Sequence, residues 1–168
     1  NVCEPLVSVV TNISYDHTAL LGNSIEQITR EKAGIIKQGI PVFSGVTQPE
    51  AKAVLEEVCR EKQAPLFLLN RNFMRLAETQ PGVQLKQSED TSLLSDRNQQ
   101  NIHVKTPWSL VEQIPVTLLG THQLTNATLA VTVIDYLRQQ GVPLEDGQMR
   151  QGMSRLKWPA RIELGQKD

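Results

Sequence analysis

The chain has 168 residues, of which 39% are hydrophobic and 21% charged, with 17 basic and 18 acidic side chains and a formal net charge of -1. That size suits one domain of ordinary dimensions, and so even a charge balance argues against a nucleic-acid footprint or a membrane-surface patch. No apolar run approaches the roughly 20 residues of a membrane span, no signal peptide is visible, and Cys3 and Cys59 lack the spacing of a zinc site or a disulfide framework. A cytoplasmic protein with two reduced thiols is expected. The chain does not begin with Met, and an internal piece of a longer protein is expected.

Residues Leu6 to Ile13 read LVSVVTNI, short, β-branched and apolar on both faces, the pattern of a buried parallel strand. A loop carrying Asp16, His17 and Gly22 follows, at the carboxyl end of that strand, where open α/β sheets bind ligands. Ser24 opens a helix with capping-box spacing to Gln27, and Ile25, Ile28, Ile35 and Ile36 repeat at helical period until Gly39 and Pro41. A strand at Pro41 to Gly45 follows, then a helix from Pro49 to Gln63 with Ala53, Val54, Val58 and Cys59 inward, then a strand at Pro65 to Leu69. Strands alternating with helices predict an α/β fold, a mostly parallel sheet flanked by helices.

The pattern changes at Asn70. Residues 70–112 are polar and are expected to form a small antiparallel elaboration with one mobile loop, its short strands near Val83 to Gln87 and Ile102 to Thr106. A strand at Ile114 to Leu119 ends at Gly120. A long helix from Gln123 to Gln140 follows, with Leu124, Ala127, Leu129, Ala130, Val133, Ile134 and Leu137 as its apolar stripe, then a shorter helix from Leu144 to Leu156. The domain is thus expected to span 1–156, with 157–168 a linker toward a further domain.

One residue breaks the pattern of the first helix. Lys32 lies four after Ile28 and three before Ile35, on the stripe that the isoleucines mark as buried. A lysine there costs free energy unless it is paired, modified or able to reach water. Periodicity leaves two readings open: a stem that lets the ammonium escape to solvent, or a side chain facing a site beneath the helix. Asp16-His17, at the carboxyl end of the preceding strand, adds a second unusual polar feature at that edge.

These residues carry a family resemblance. The segment VVTNISYDHTALLGNSIEQITREKAGIIKQGIPV resembles the central-domain signature of the folylpolyglutamate synthase and dihydrofolate synthase family, within the Mur ligase superfamily. LLGTHQLTNATLAV, Leu118 to Val131, resembles that family's G-x-H-Q-x-x-N-A segment, and WPARIE, Trp158 to Glu163, resembles its W-P-G-R-x-E ending. The three occur in the family's order and span nearly the whole chain. The resemblance implies a ligase that uses ATP and Mg²⁺ to activate a folate or dihydropteroate carboxylate as an acyl phosphate, which the amino group of L-glutamate then attacks. It implies that His17 ligates Mg²⁺ and that Lys32 is carbamylated by CO₂ and helps to hold the metal. It further implies that Asn126 contacts the adenine or nearby nucleotide atoms and that Arg161 reaches the phosphates. His122 and Gln123 take supporting roles in nucleotide binding.

Two positions depart from the family pattern: Ser14 and Ala160 stand where glycine is usual. The family's phosphate-binding loop and a second acidic metal ligand are expected upstream of Asn1, and a further domain after Asp168, so the chain alone is expected to be inactive. The full-length enzyme is expected to be a monomer that binds neither nucleic acid nor membrane, while the fragment has an exposed strand edge through which it is expected to self-associate. Two other readings stand beside this one: a Mur-type ligase of cell-wall precursors, disfavoured by the W-P-x-R-x-E ending and the H-Q-x-x-N segment, and a non-catalytic α/β interaction module, favoured by the missing phosphate-binding loop and disfavoured by the presence of His17, Lys32, Asn126 and Arg161.

Overall fold

A computed structural model describes residues 3–14, 24–76, 100–118 and 120–156. The chain divides into two compact units, Asn1–Met74 and Arg75–Asp168.

In the first unit, strands β1 (Ser8–Val10), β2 (Val42–Ser44) and β3 (Leu66–Leu68) form a parallel sheet in that order. The pairing aligns Ser8 with Val42 and Leu66, and Val10 with Ser44 and Leu68. Parallel strands cannot be joined by tight turns. Helix α1 (Ile25–Lys32), with its 3₁₀ extension Ala33–Ile35, lies between β1 and β2, and helix α2 (Pro49–Glu61) lies between β2 and β3. Val10, Val42 and Leu66 from the sheet pack with Ile28, Ile36, Leu55 and Val58 in one core. On the opposite face the pleat places Val9, Phe43 and Phe67, with the two phenyl rings stacked at 4.9 Å.

Local chemistry sets the helix boundaries. The Ser24 hydroxyl accepts the Gln27 N–H at 3.3 Å, capping α1. Pro49 occupies the first position of α2, where its missing N–H costs nothing. The Ser8 hydroxyl donates to the Ile35 carbonyl at 3.2 Å, tying the 3₁₀ turn to the sheet.

In the second unit, β4 (Met74–Leu76), β5 (Gln100–Lys105) and β6 (Leu110–Val116) form a second sheet, with β5 and β6 antiparallel. Helices α3 (Thr121–Gln139) and α4 (Asp146–Ser154) supply Leu124, Ala127, Val131, Met149 and Met153 to a core with Ile102, Val104, Val111, Ile114 and Val116. The ladder pairs Ile102 with Ile114 but Val104 with Val111, so Glu112 and Gln113 together face His103 in a β-bulge. Gln113 takes a left-handed φ of 55°, and Arg150 of α4 donates to the Glu112 carbonyl at 3.0 Å, satisfying an acceptor at the irregular point.

Several expectations are corrected. The first strand is Ser8–Val10 rather than Leu6 to Ile13, and it is not buried on both faces, since Val9 is 37% exposed. Ala53 points to solvent, because Ala51, Val54, Leu55, Val58 and Cys59 already fill the i, i+3, i+4 stripe of α2. Of the two readings of Lys32, its exposure fits the one in which the ammonium reaches solvent. The helix ends there and continues as a 3₁₀ turn, so a single α-helical period does not run through Lys32 although Ile28, Ile35 and Ile36 all pack on one core. The expected strand at Ile114 to Leu119 begins earlier, at Leu110, and is the partner of β5. The buried face of α3 is not a simple apolar stripe, since Gln123, Thr128, Thr132 and Asp135 lie on it, while Ala130, Val133, Ile134 and Leu137 are half-buried. The expected strand at Val83 to Gln87, His17, Arg161 and the linker 157–168 lie outside the described residues.

The bulge yields a stability prediction. Gln113→Val places a β-branched residue at positive φ and should destabilise the protein by roughly 1–3 kcal/mol, whereas Gln113→Gly should fall within about 1 kcal/mol of the parent. Urea denaturation of the two variants measures this, and equal stabilities would refute the strain at this position.

Candidate functional site

The parallel sheet defines an edge. Thr11 to Ser14, Gly45 to Gln48 and Leu69 to Asn72 all follow strand carboxyl ends, the side of such sheets that takes ligands. The Gln48 amide donates to the Ile13 carbonyl at 2.7 Å, bridging the first two segments. The Asn72 side chain accepts the Leu68 N–H at 2.9 Å, and Asn70 turns the chain with φ of 62°. None of these asparagine and glutamine roles is signalled by hydrophobic period, which is blind to polar residues in loops.

Lys32 lies in the last turn of α1 with its side chain exposed. At the opposite end of that helix, backbone hydrogen bonding and then the Ser24 hydroxyl hold the Glu26 carboxyl below its ordinary range. Cys59 is buried, and burial pushes its thiol up to about 11. At neutral pH it stays protonated, which removes it as a nucleophile.

The residues His122, Gln123 and Asn126 occupy the first turns of α3. Gly120 precedes them with φ 105° and ψ 145°, and its carbonyl accepts the N–H groups of Gln123 and Leu124. A Cβ at Gly120 would come within 2.7 Å of the His122 ring, so the positive φ calls for glycine and a larger residue would also have to displace the exposed imidazole lying against it. Gln123 is buried, at 6% exposure, while His122 and Asn126 are exposed. The Asn126 amide nitrogen donates to the Gln123 side-chain oxygen at 3.4 Å. The structure thus joins Asn126 to Gln123 and His122 to Gly120 at the start of one helix.

Further along α3 lies a residue that sequence reading passed over. Asp135 is 1% exposed and accepts hydrogen bonds from the hydroxyls of Thr106 and Ser109 in the β5–β6 turn. Its place at i+4 from the buried Val131 is the same kind of signal that drew attention to Lys32. The hydroxyls satisfy the carboxylate and hold the turn against the helix, a structural role. Nearby, Trp108 meets Tyr136 with ring centroids 5.4 Å apart.

No cluster of three or more His, Cys, Asp or Glu able to hold a metal exists among the described residues. A lysine ammonium has no lone pair for a cation. Lys32 would therefore fit Mg²⁺ only after conversion to a carbamate, whose oxygens suit a hard ion.

With an α/β architecture and a ligand-type sheet edge in place, comparison with known proteins assigns the class. The Mur ligase middle domain family matches residues 1–134, and the chain belongs to that family. It is 37% identical to a dihydrofolate synthase/folylpolyglutamate synthase of Bacillus subtilis, over 99% of this chain and 35% of that protein. It is 32% identical to a folylpolyglutamate synthase of Lacticaseibacillus casei, over 97% of this chain and 35% of that protein. Among solved structures, a single-site mutant of L. casei FPGS superposes with a TM-score of 0.80 at 31% identity, covering 99% of this chain and 38% of the other. An FPGS–AMPPCP complex superposes with a TM-score of 0.78 at 32% identity, covering 97% of this chain and 37% of the other. The chain therefore spans little more than a third of the length of these relatives.

The Gly120 geometry can be tested by a double-mutant cycle. Gly120→Ala should cost about 1–3 kcal/mol of stability from its backbone conformation and the clash. His122→Ala, at an exposed site, should change stability by no more than about 0.5 kcal/mol. The double variant should recover the clash component only, giving a non-additive cycle in urea denaturation. Strict additivity would show that the imidazole does not hold Gly120 in place.

Proposed function

We propose that this chain is the central part of an ATP-dependent ligase that joins L-glutamate to a folate or dihydropteroate in the cytoplasm. The observation that carries the reading is the likeness, over nearly the whole chain, to proteins named dihydrofolate synthase and folylpolyglutamate synthase. Related FPGS structures bound to AMPPCP, and to AMPPCP with folate, support an adenine nucleotide and a folate as ligands. No helix among the described residues is long and apolar enough to cross a membrane.

In this reading the substrate carboxylate attacks the γ-phosphorus of ATP and ADP leaves. The glutamate amine then attacks the acyl phosphate carbonyl, loses a proton and expels phosphate, leaving an amide. Mg²⁺ would supply positive charge to the phosphates as two anions are brought together. His17 and the carbamate of Lys32 would hold it. Formation of the carbamate joins the neutral lysine nitrogen to CO₂ and releases a proton, replacing a cation by an oxygen anion. The exposure of Lys32 leaves its nitrogen open to CO₂. Arg161 would contact the phosphates through its forked donors, and Asn126, supported by His122 and Gln123, the base. The 168-residue chain alone, about a third of the length of its relatives, is proposed to have no turnover, and the full-length enzyme is proposed to act as a monomer.

The full-length gene product should release ADP only when folate or dihydropteroate and L-glutamate are both supplied. Lys32→Met should lower that rate on the order of 100-fold, while changing stability by no more than about 0.5 kcal/mol because the side chain is exposed. Full activity in Lys32→Met would remove the lysine from the mechanism. ADP release driven by a cell-wall precursor instead of a folate would reassign the substrate.

A further inference from the structure

We propose that Gln123 is a specificity-determining positioning residue: it fixes which way round the Asn126 amide is presented and thereby selects an adenine over a guanine nucleotide. This rests on the reading that Asn126 contacts the base. The new element is the contact between the two amides. Asn126 Nδ2 donates to Gln123 Oε1 at 3.4 Å, one helical turn back on α3. Gln123 is buried at 6% exposure, whereas Asn126 is exposed and free to meet a ligand.

The chemistry follows from the donor and acceptor inventory. An asparagine amide has one acceptor oxygen and two N–H donors on a single nitrogen. With one N–H committed to Gln123, the outward edge of Asn126 presents its Oδ1 as acceptor beside the second N–H as donor. Adenine offers the complementary pair, the N6 amino donor beside the N7 acceptor, whereas guanine offers two acceptors, O6 and N7. To accommodate guanine the amide would have to turn over and present its nitrogen to both acceptors. That rotation places Asn126 Oδ1 against Gln123 Oε1, and relieving the clash requires the buried Gln123 amide to turn over as well. Gln123 thus opposes the orientation that guanine needs without touching the base. A purely structural Gln123 would affect both nucleotides alike, so the ratio of the two affinities is the informative quantity.

Calorimetric titration of the full-length gene product with AMPPCP and with GMPPCP tests this. Asn126→Ala should weaken AMPPCP about tenfold. Gln123→Met, close in shape but with no hydrogen-bonding oxygen, should lower the AMPPCP/GMPPCP affinity ratio by roughly five- to tenfold. Gln123→Glu keeps an acceptor for the Asn126 N–H and should restore the ratio to within about twofold of the parent. Should Gln123→Met fail to melt cooperatively, Gln123→Ala carries the same expectation for the ratio. Weakened AMPPCP binding in Asn126→Ala with an unchanged ratio in the folded Gln123 variants overturns the positioning role and leaves the Asn126 assignment standing. Unchanged AMPPCP binding in Asn126→Ala overturns the assignment itself, and the positioning role with it.

Discussion

Parallel pairing of β1, β2 and β3 is the constraint from which the first unit follows. Strands that run the same way must each be reached by a crossover, so a helix has to lie between each pair and cover the sheet. The same constraint collects the segments after all three strands at one edge. That edge can specialise in polar contacts because the helices have already taken over the burial of apolar surface. The Gln48 bridge to Ile13 shows the division of labour: a side-chain amide closes a backbone acceptor that the short strands leave unpaired.

The second unit solves a different problem, the burial of a helix with polar residues on its inner face. Thr128 and Thr132 return their hydroxyl protons to the carbonyls of Leu124 and Thr128 at 2.7 and 2.8 Å, satisfying themselves within the helix. Asp135 is satisfied by two hydroxyls from the β5–β6 turn. Desolvated polar groups are costly only when unpaired, so the inner face of α3 contributes registration as well as packing: the carboxylate fits one turn, at one height along the helix.

The alternation of strands and helices was legible in residues 6–69 because β-branched triplets and 3.6-residue stripes are strong local signals. Lys32 was placed on the isoleucine stripe because Ile35 and Ile36 extend it, and its exposure fits the reading in which the ammonium reaches solvent. Winding changes from α to 3₁₀ after Lys32, and sequence period carries no mark of that change. β6 was read as starting at Ile114 because strict alternation fails at Glu112 and Gln113, where the bulge lies. β4 was missed since three residues, two of them exposed, give too little pattern to detect. Of the candidate site, the motifs only nominate residues, whereas the contact between Asn126 and Gln123 and the packing of His122 on Gly120 depend on side-chain geometry that no spacing encodes.

The bulge has a bearing on how this sequence can vary. Val111 and Ile114 both face the core although an odd number of steps separates them, which a regular strand of period two forbids. β6 is therefore written in two phases joined by one extra residue, which absorbs the odd step between them. Exchange of the side chain at 113 leaves both phases intact. Loss of that single residue would restore a smooth ladder with Val111, now two steps from Ile114, still facing the core and Glu112 still facing outward, but would take from Arg150 the carbonyl it now caps. A one-residue deletion at the bulge is thus compatible with the core pattern, and what it puts at risk is the contact that ties β6 to α4.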